Sequence, residues 1–347
     1  MKWVKLPQEG DIPLARSSHS ISCIENDSKL LLWGGENEPR TPITTDISLY
    51  NISSGSWSIV AAPGAPSLRV AHAAAAVGNT VYFHGGRTEV EEESTLGDFY
   101  CFNAETGTWT EIKTSKMPMG RNYHSACSVG TNIYIFGGCG GTLPEGGTRR
   151  LADLWRYDTV AGTWEELPSP EGCVGRGGPG FVAVDGSLWV IGGFTGKEAS
   201  DIHRFDIATS TWELNIEVKS SNPDQPAFTA RSVFGRGGHS SGCSAPGCGH
   251  AGHLLVFGGE IDPSDLGHAG AGQFSNTTYC LDPISRTWHA VSTSASDNGE
   301  YPGPRGWGAS TELPGRGVIL SGGMDDQNQR LDDLYLLDYH VPYWTIK

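Results

Sequence analysis

The hydrophobic positions of this chain fall in short, evenly spaced runs. Six four-residue stretches are each followed at once by a Gly-Gly pair: Leu30-Leu31-Leu32-Trp33, Val81-Tyr82-Phe83-His84, Ile133-Tyr134-Ile135-Phe136, Leu188-Trp189-Val190-Ile191, Leu254-Leu255-Val256-Phe257 and Val318-Ile319-Leu320-Ser321. An apolar run of that length, bounded by turn residues, predicts a short buried strand. A second beat follows each pair, an apolar or aromatic residue seven positions before a Trp: Tyr50 and Trp57, Phe102 and Trp109, Tyr157 and Trp164, Phe205 and Trp212, Leu281 and Trp288, Leu337 and Trp344. Gly55, Gly107 and Gly162, just before the Trp, predict tight hairpins. A third beat comes earlier, an Arg opening each unit: Arg16, Arg69, Arg121, Arg176, Arg231 and Arg305. Three beats in register, six times over, predict six equivalent β-units.

This pattern resembles the Kelch repeat, in which about 50 residues form one four-stranded blade. The resemblance covers the whole chain and implies an all-β, six-bladed Kelch-type β-propeller, with four antiparallel strands per blade, as a single domain over residues 1–347. Glycine suits the crowded axis, because only a residue without Cβ lets backbones approach so closely. The Trp and its upstream aromatic are expected to pack between neighbouring blades. Closing the ring protects sheet edges. Either Trp3-Val4-Lys5-Leu6 or Trp344-Thr345-Ile346 could supply the last outer strand, and the N-terminal strand is preferred because closure by the opposite end locks the ring. The fifth unit departs from the rest: Arg231 precedes Gly259 by 28 positions, against 17 to 19 elsewhere. Long loops on a rigid scaffold are where function tends to sit.

Composition supports the all-β reading, with 48 Gly, 20 Pro and 11 Trp in 347 residues and only 18% charged. Gly and Pro are the weakest helix formers. A net charge of −15 repels phosphate backbones, so nucleic acid is not an expected partner. No apolar run approaches the length of a membrane span. The eight cysteines are scattered without a disulfide-like framework, and the N-terminus lacks a long apolar stretch. A reducing, cytoplasmic compartment is therefore expected.

Candidate chemistry concentrates after the fifth Gly-Gly, in Glu260-Ile261-Asp262-Pro263-Ser264-Asp265-Leu266-Gly267-His268. One His and two carboxylates are a donor set close to the two-His, one-carboxylate facial triad of ferrous sites, which keep open positions for a substrate. The plain alternative is an exposed turn capped by His268. Glu36 and Glu260 occupy one place in units one and five, and Arg87 directly follows the second Gly-Gly, so the three are expected to face one pocket. Trp307 is either an aromatic wall of that pocket or ordinary blade packing. The fifth-unit insertion holds His239, Cys243, Cys248, His250 and His253. Its spacing suits no standard zinc site, and a loop over the pocket mouth is the other reading.

More specific stretches are Ala15-Arg16-Ser17-Ser18-His19, Gly34-Gly35-Glu36 with Pro39-Arg40, Gly85-Gly86-Arg87, Arg176-Gly177-Gly178-Pro179-Gly180-Phe181, Ala230-Arg231-Ser232-Val233-Phe234, Gly258-Gly259-Glu260 through His268, and Arg305-Gly306-Trp307. Together they resemble the plant specifier proteins of glucosinolate breakdown: nitrile-specifier, epithiospecifier and thiocyanate-forming proteins. Those proteins steer the unstable aglucone released by myrosinase to nitriles, epithionitriles or thiocyanates, with ferrous iron, Fe(II), as cofactor. The resemblance implies a non-redox lyase or isomerase acting on an anionic small molecule, downstream of an enzyme that releases it. Its iron ligands follow Glu-x3-Asp-x3-His. Glu260 and His268 match the ends, Ser264 stands at the middle place, and Asp265 or Asp262 is left to supply the second carboxylate. The family's substrate-binding arginines map onto Arg87 and Arg176, with Glu36, Arg40 and Trp307 as further substrate contacts. The alternative function is a non-catalytic Kelch protein–protein interaction module.

Overall fold

The computed structural model describes residues 1–24, 28–88, 95–143, 147–220, 233–236, 252–262, 273–291, 293–295 and 299–339. Every regular element among them is a strand. From the axis outward, blade one is built from Ser20–Ile24, Lys29–Trp33, Ile47–Asn51 and Ser56–Val60. Blade two is Ala73–Val77, Thr80–His84, Phe99–Asn103 and Thr108–Glu111. Blade three is Ser125–Val129, Asn132–Thr142, Thr148–Asp158 and Thr163–Leu167; blade four is Gly180–Val184, Ser187–Phe194, Glu198–Asp206 and Thr211–Glu213. Blade five is Val233–Arg236, Leu254–Phe257, Thr278–Asp282 and Thr287–Ala290. Blade six is Ala309–Leu313, Gly317–Met324 and Arg330–Asp338, completed on the outside by Lys2–Lys5.

The second beat is explained by this pairing. Tyr50, Phe102, Tyr157, Phe205 and Leu281 lie directly across the hairpin from Trp57, Trp109, Trp164, Trp212 and Trp288. In blade six the partner of Leu337 is Trp3 of the N-terminal strand. Trp3 is 1% exposed and packs edge-on against Phe257 and Tyr335. Trp344 lies outside the described residues. Six apolar clusters fill the six seams between blades, such as Trp33, Phe83, Phe102 and Trp109 between blades one and two.

The arginine and glycine beats explain each other. In five blades the Arg side chain donates to the carbonyl of the first glycine of its own blade: Arg16 to Gly34, Arg69 to Gly85, Arg121 to Gly137, Arg176 to Gly192 and Arg305 to Gly322. The Arg backbone carbonyl accepts from the second glycine of the preceding blade, as Gly35 N–H does to Arg69 at 3.1 Å and Gly86 N–H to Arg121 at 2.8 Å. Both glycines of each pair have positive φ, and a β-carbon on Gly34 would stand 3.0 Å from the Arg69 oxygen. This close approach is what requires glycine. Four of the guanidiniums are also held by carboxylates: Arg69 by Asp98, Arg121 by Asp153, Arg176 by Asp201 and Arg305 by Asp333, with Nη2–Oδ2 distances of 2.7–2.9 Å.

Blade five differs. Elsewhere the residue four after the Arg pairs with the residue before Gly-Gly, as Ser20 does with Trp33 and Ser125 with Phe136. Here Val233, only two after Arg231, pairs with Phe257. The expectation that Arg231 opens blade five in step with the others is corrected accordingly. Arg231 itself lies outside the described residues.

Candidate functional site

Three concentric rings of side chains surround the axis where the Arg-bearing ends of the blades meet. The innermost comes from the residue two after each opening Arg: Ser18, Ala71, Tyr123, Gly178 and Trp307. All five are left-handed, with φ between 51° and 57°. Their backbones join head to tail across the blades. Ser18 N–H donates to Trp307 O at 2.8 Å, Ala71 to Ser18 at 3.0 Å, Tyr123 to Ala71 at 2.9 Å and Gly178 to Tyr123 at 2.6 Å. Left-handed geometry costs a non-glycine residue about 1–2 kcal/mol, which these bonds offset. The five residues line an axial cavity of about 490 Å³. Tyr123 and Trp307 belong to blades three and six, on opposite sides of it.

The second ring is the residue directly after each Gly-Gly: Glu36, Arg87, Cys139, Phe194, Glu260 and Met324. Five of these bridge back to their own blade, to Ser17, Val70, Asn122, Gly177 and Gly306 respectively, with blade five apart. The third ring is their cross-strand partners: Pro42, Thr95, Arg150, Glu198, Phe274 and Arg330. Members of this ring reach forward to the next blade. Arg150 covers the Phe194 ring at 4.8 Å, Arg330 pairs with Glu36 at 3.5 Å, and Phe274 packs with Met324. The framework repeats, and these rings change chemistry at nearly every blade. That contrast marks the mouth as the site.

The expected residues fall out unequally. Arg87 is 7% exposed; its Nη2 donates to Tyr123 Oη at 3.3 Å, its guanidinium lies 5.5 Å from the Tyr123 ring centroid, and its Nε has no acceptor. Among the described residues no carboxylate pairs with it. Glu36 is buried, accepting from Arg330 and, at 2.7 Å, from the Arg40 N–H. Arg40 joins through its backbone, at a hairpin turn with φ 61°, while its side chain is exposed. Glu260 is 3% exposed, in the same place on blade five that Glu36 holds on blade one. Trp307 lines the cavity and also packs against Phe274 and Met324.

Arg176 is placed differently from the expectation. It is fully buried within blade four, held by Gly192 O and Asp201, with His203 and Cys173 on its Nη2. Its guanidinium is committed to the blade framework and does not face the mouth. Burial is the largest single influence on His203 and opposes its charge, but the hydrogen bonds and charges of Asp201 and Cys173 together outweigh it and raise its pKa. The second mouth guanidinium is Arg150, which sequence reasoning missed: its Nε is buried without an acceptor, and no carboxylate among the described residues pairs with it.

Asp265 and His268 lie outside the described residues, as does the side chain of Asp262. Glu260 is the member of the expected iron set whose side chain is described, and a buried carboxylate suits a hard ferrous ligand. Among the described residues no group of three or more His, Cys, Asp and Glu side chains forms a metal cluster. Of the fifth-unit insertion, His239, Cys243, Cys248 and His250 lie outside the described residues, and burial lowers the pKa of His253. No helix among the described residues is long and apolar enough to cross a membrane.

The profile of the KLHDC2/KLHL20/DRC7 Kelch-repeats domain matches residues 22–236, and that of the Kelch motif matches residues 241–294. The chain is 30% identical to the N-(sulfonatooxy)prop-2-enimidothioate sulfolyase of Thlaspi arvense over 362 aligned residues, covering 96% of both proteins. It is 27% identical to Homo sapiens Kelch domain-containing protein 3 over 64% of this chain and 62% of that one. A Drosophila melanogaster leucine-zipper-like transcriptional regulator 1 homolog is 25% identical across the whole chain, which spans 33% of that protein. With its six seams, its N-terminal clasp and a match to the sulfolyase from end to end, the chain belongs to the Kelch-repeat propellers of the plant specifier-protein family.

Proposed function

We propose that this protein is a non-redox lyase or isomerase that directs the breakdown of a reactive, anionic, O-sulfonated small molecule bound at the mouth. The observation that carries this reading is the pair of guanidiniums, Arg87 and Arg150, each with a buried Nε lacking an acceptor and neither paired to a carboxylate among the described residues. The described blade-opening arginines, by contrast, are bonded into the framework. Guanidiniums without a carboxylate partner favour a ligand that brings its own negative charge and planar oxygens. The relative's name specifies such a compound, carrying a sulfonatooxy group.

In this reading Arg87 and Arg150 hold the sulfonate and stabilise charge as it leaves as sulfate. Tyr123 and Trp307 flank the carbon skeleton and keep water away from it. Glu36, held by Arg330, keeps its negative charge turned from the anion. Ferrous iron, held by Glu260 and His268 with Asp265 or Asp262, would supply a soft Lewis-acid contact to the substrate sulfur. An upstream hydrolase must release the intermediate, and a cytoplasmic setting fits the free thiols.

The test supplies the intermediate in place, from a glucosinolate and myrosinase with ferrous iron, and measures nitrile or thiocyanate against isothiocyanate. Wild type diverts product from isothiocyanate, and Arg87→Ala and Arg150→Ala each reduce that diversion by about tenfold or more. Wild type that leaves isothiocyanate unchanged, across several glucosinolates, overturns the reading. The interaction-module alternative draws on exposed Leu14, Met119 and Val174, which lie in the linkers entering blades one, three and four. Captured partners that release on mutating these three, with no diversion of product, would favour it.

A further inference from the structure

We infer that Phe274 and Asp326 are positioning residues that dock the Glu260 hairpin of blade five onto blade six. The inference rests on the proposed role of Glu260. The hairpin pairs Glu260–Asp262 with Gln273–Phe274, Glu260 standing directly across from Phe274. At its base, Gly259 N–H donates to Arg305 O at 2.8 Å, already in blade six. Farther out, Phe274 N–H donates to Asp326 Oδ1 at 2.8 Å. The Phe274 ring is 3% exposed and meets Trp307 edge-on, centroids 6.1 Å apart, with Met324 completing the cluster.

The seat is cut for this ring. A β-carbon on Gly306 would collide with Phe274, and Gly306 φ is not positive, so the glycine serves space rather than backbone geometry. The matching hairpin of blade one, Glu36–Glu38 with Thr41–Pro42, is held instead by the Arg330–Glu36 ion pair. An ion pair there neutralises Glu36. An apolar seat fixes the strand that carries Glu260 through its cross-strand partner Phe274. Trp307 belongs to both the seat and the cavity wall, which ties the hairpin to whatever fills the mouth.

Asp326 is exposed, so replacing it leaves the seams intact. The test compares wild type with Asp326→Ala, Asp326→Asn and Phe274→Leu in the full chain. Amide hydrogen exchange is followed without metal or substrate, and anaerobic binding is measured with ferrous iron alone. Asp326→Ala should speed exchange of residues 260–262 and 273–274 about tenfold, leave the other blades unchanged, and weaken iron binding about tenfold. Asp326→Asn, which keeps the acceptor, should restore both, and Phe274→Leu should behave like Asp326→Ala. Exchange at 260–262 and 273–274 that matches wild type, or rises throughout the chain, overturns the docking. Loosened exchange with iron affinity unchanged shows a structural contact and overturns the positioning role. Wild type that binds no ferrous iron sinks the metal reading of Glu260, and with it the positioning role, while the exchange result still decides whether the docking is real.

Discussion

Ala71 illustrates how much a single residue at the mouth is constrained. It is buried, left-handed and hydrogen-bonded on both sides into the inner ring. Ala71→Gly relieves steric strain and adds backbone entropy to the unfolded state, and these terms are of similar size. Urea unfolding should place it within about 1 kcal/mol of wild type. Ala71→Val puts a β-branched residue where that backbone is nearly forbidden and should cost more than about 2 kcal/mol. Residues of this kind were only partly legible beforehand. Glu36, Arg87 and Glu260 could be found because each touches a Gly-Gly pair. Arg176 sits on an obvious beat, and that is why it is structural: the beat exists to stitch blades. Arg150 follows no beat. It reaches the mouth because Asn132–Thr142 and Thr148–Asp158 extend as a long ribbon whose bulged register sets it opposite Cys139. Cross-strand register through a bulge cannot be read from spacing along the chain.

Among the elements, the blade-opening arginines separate into two kinds. Arg121 is fully buried and held by Asp153, whose own pKa burial raises but Arg121 lowers further. Asp153→Ala strands a buried cation, and because Asp153 is partly exposed the cost should be about 2–3 kcal/mol. Among the described residues Arg16 has no such partner. Asp46 stands where Asp98 and Asp153 do, yet bonds to Thr44, and burial lowers Arg16 to about 10. Asp46→Ala should therefore shift stability by less than about 1 kcal/mol, and urea midpoints of the two variants test the contrast. The closing strand was legible as a choice between two tryptophans, and pairing with Leu337 settles it for Trp3. Trp3→Ala removes a side chain from the seam between blades five and six and should cost about 3–5 kcal/mol in the same measurement.

Over the whole molecule, three successive seams carry a histidine. His19 of blade one bonds Ser321 of blade six, His72 bonds Ser20 of blade one, and His124 bonds His84 of blade two. Burial first drives all four pKa values down, followed by a neighbouring arginine for His19, His72 and His84 and by His84 for His124, to about 3 for His72 and His84. The unfolded chain takes up these protons near the ordinary value of 6.5, and the folded chain does not. Stability from this source is complete above about pH 6.5 and falls as pH drops toward about 3, by about 2 kcal/mol per imidazole at about pH 5. Thermal unfolding between about pH 7 and pH 5 should show this loss, and His72→Gln should flatten the dependence. A slope unaffected by that change would place the protons elsewhere.

The N-terminal clasp has a kinetic consequence. Lys2–Lys5 leaves the ribosome first, and the strand it must join, Arg330–Asp338, emerges near the end of synthesis. During translation, at roughly 5–20 residues per second, Trp3 waits for tens of seconds without its partner. Blades one to four can assemble locally in that interval, but the circle stays an open arc whose two raw flanks attract other chains. A permuted gene changes that order. One that begins between blades two and three makes Lys2–Lys5 and Arg330–Asp338 neighbours in time, and should give less aggregate when expressed quickly.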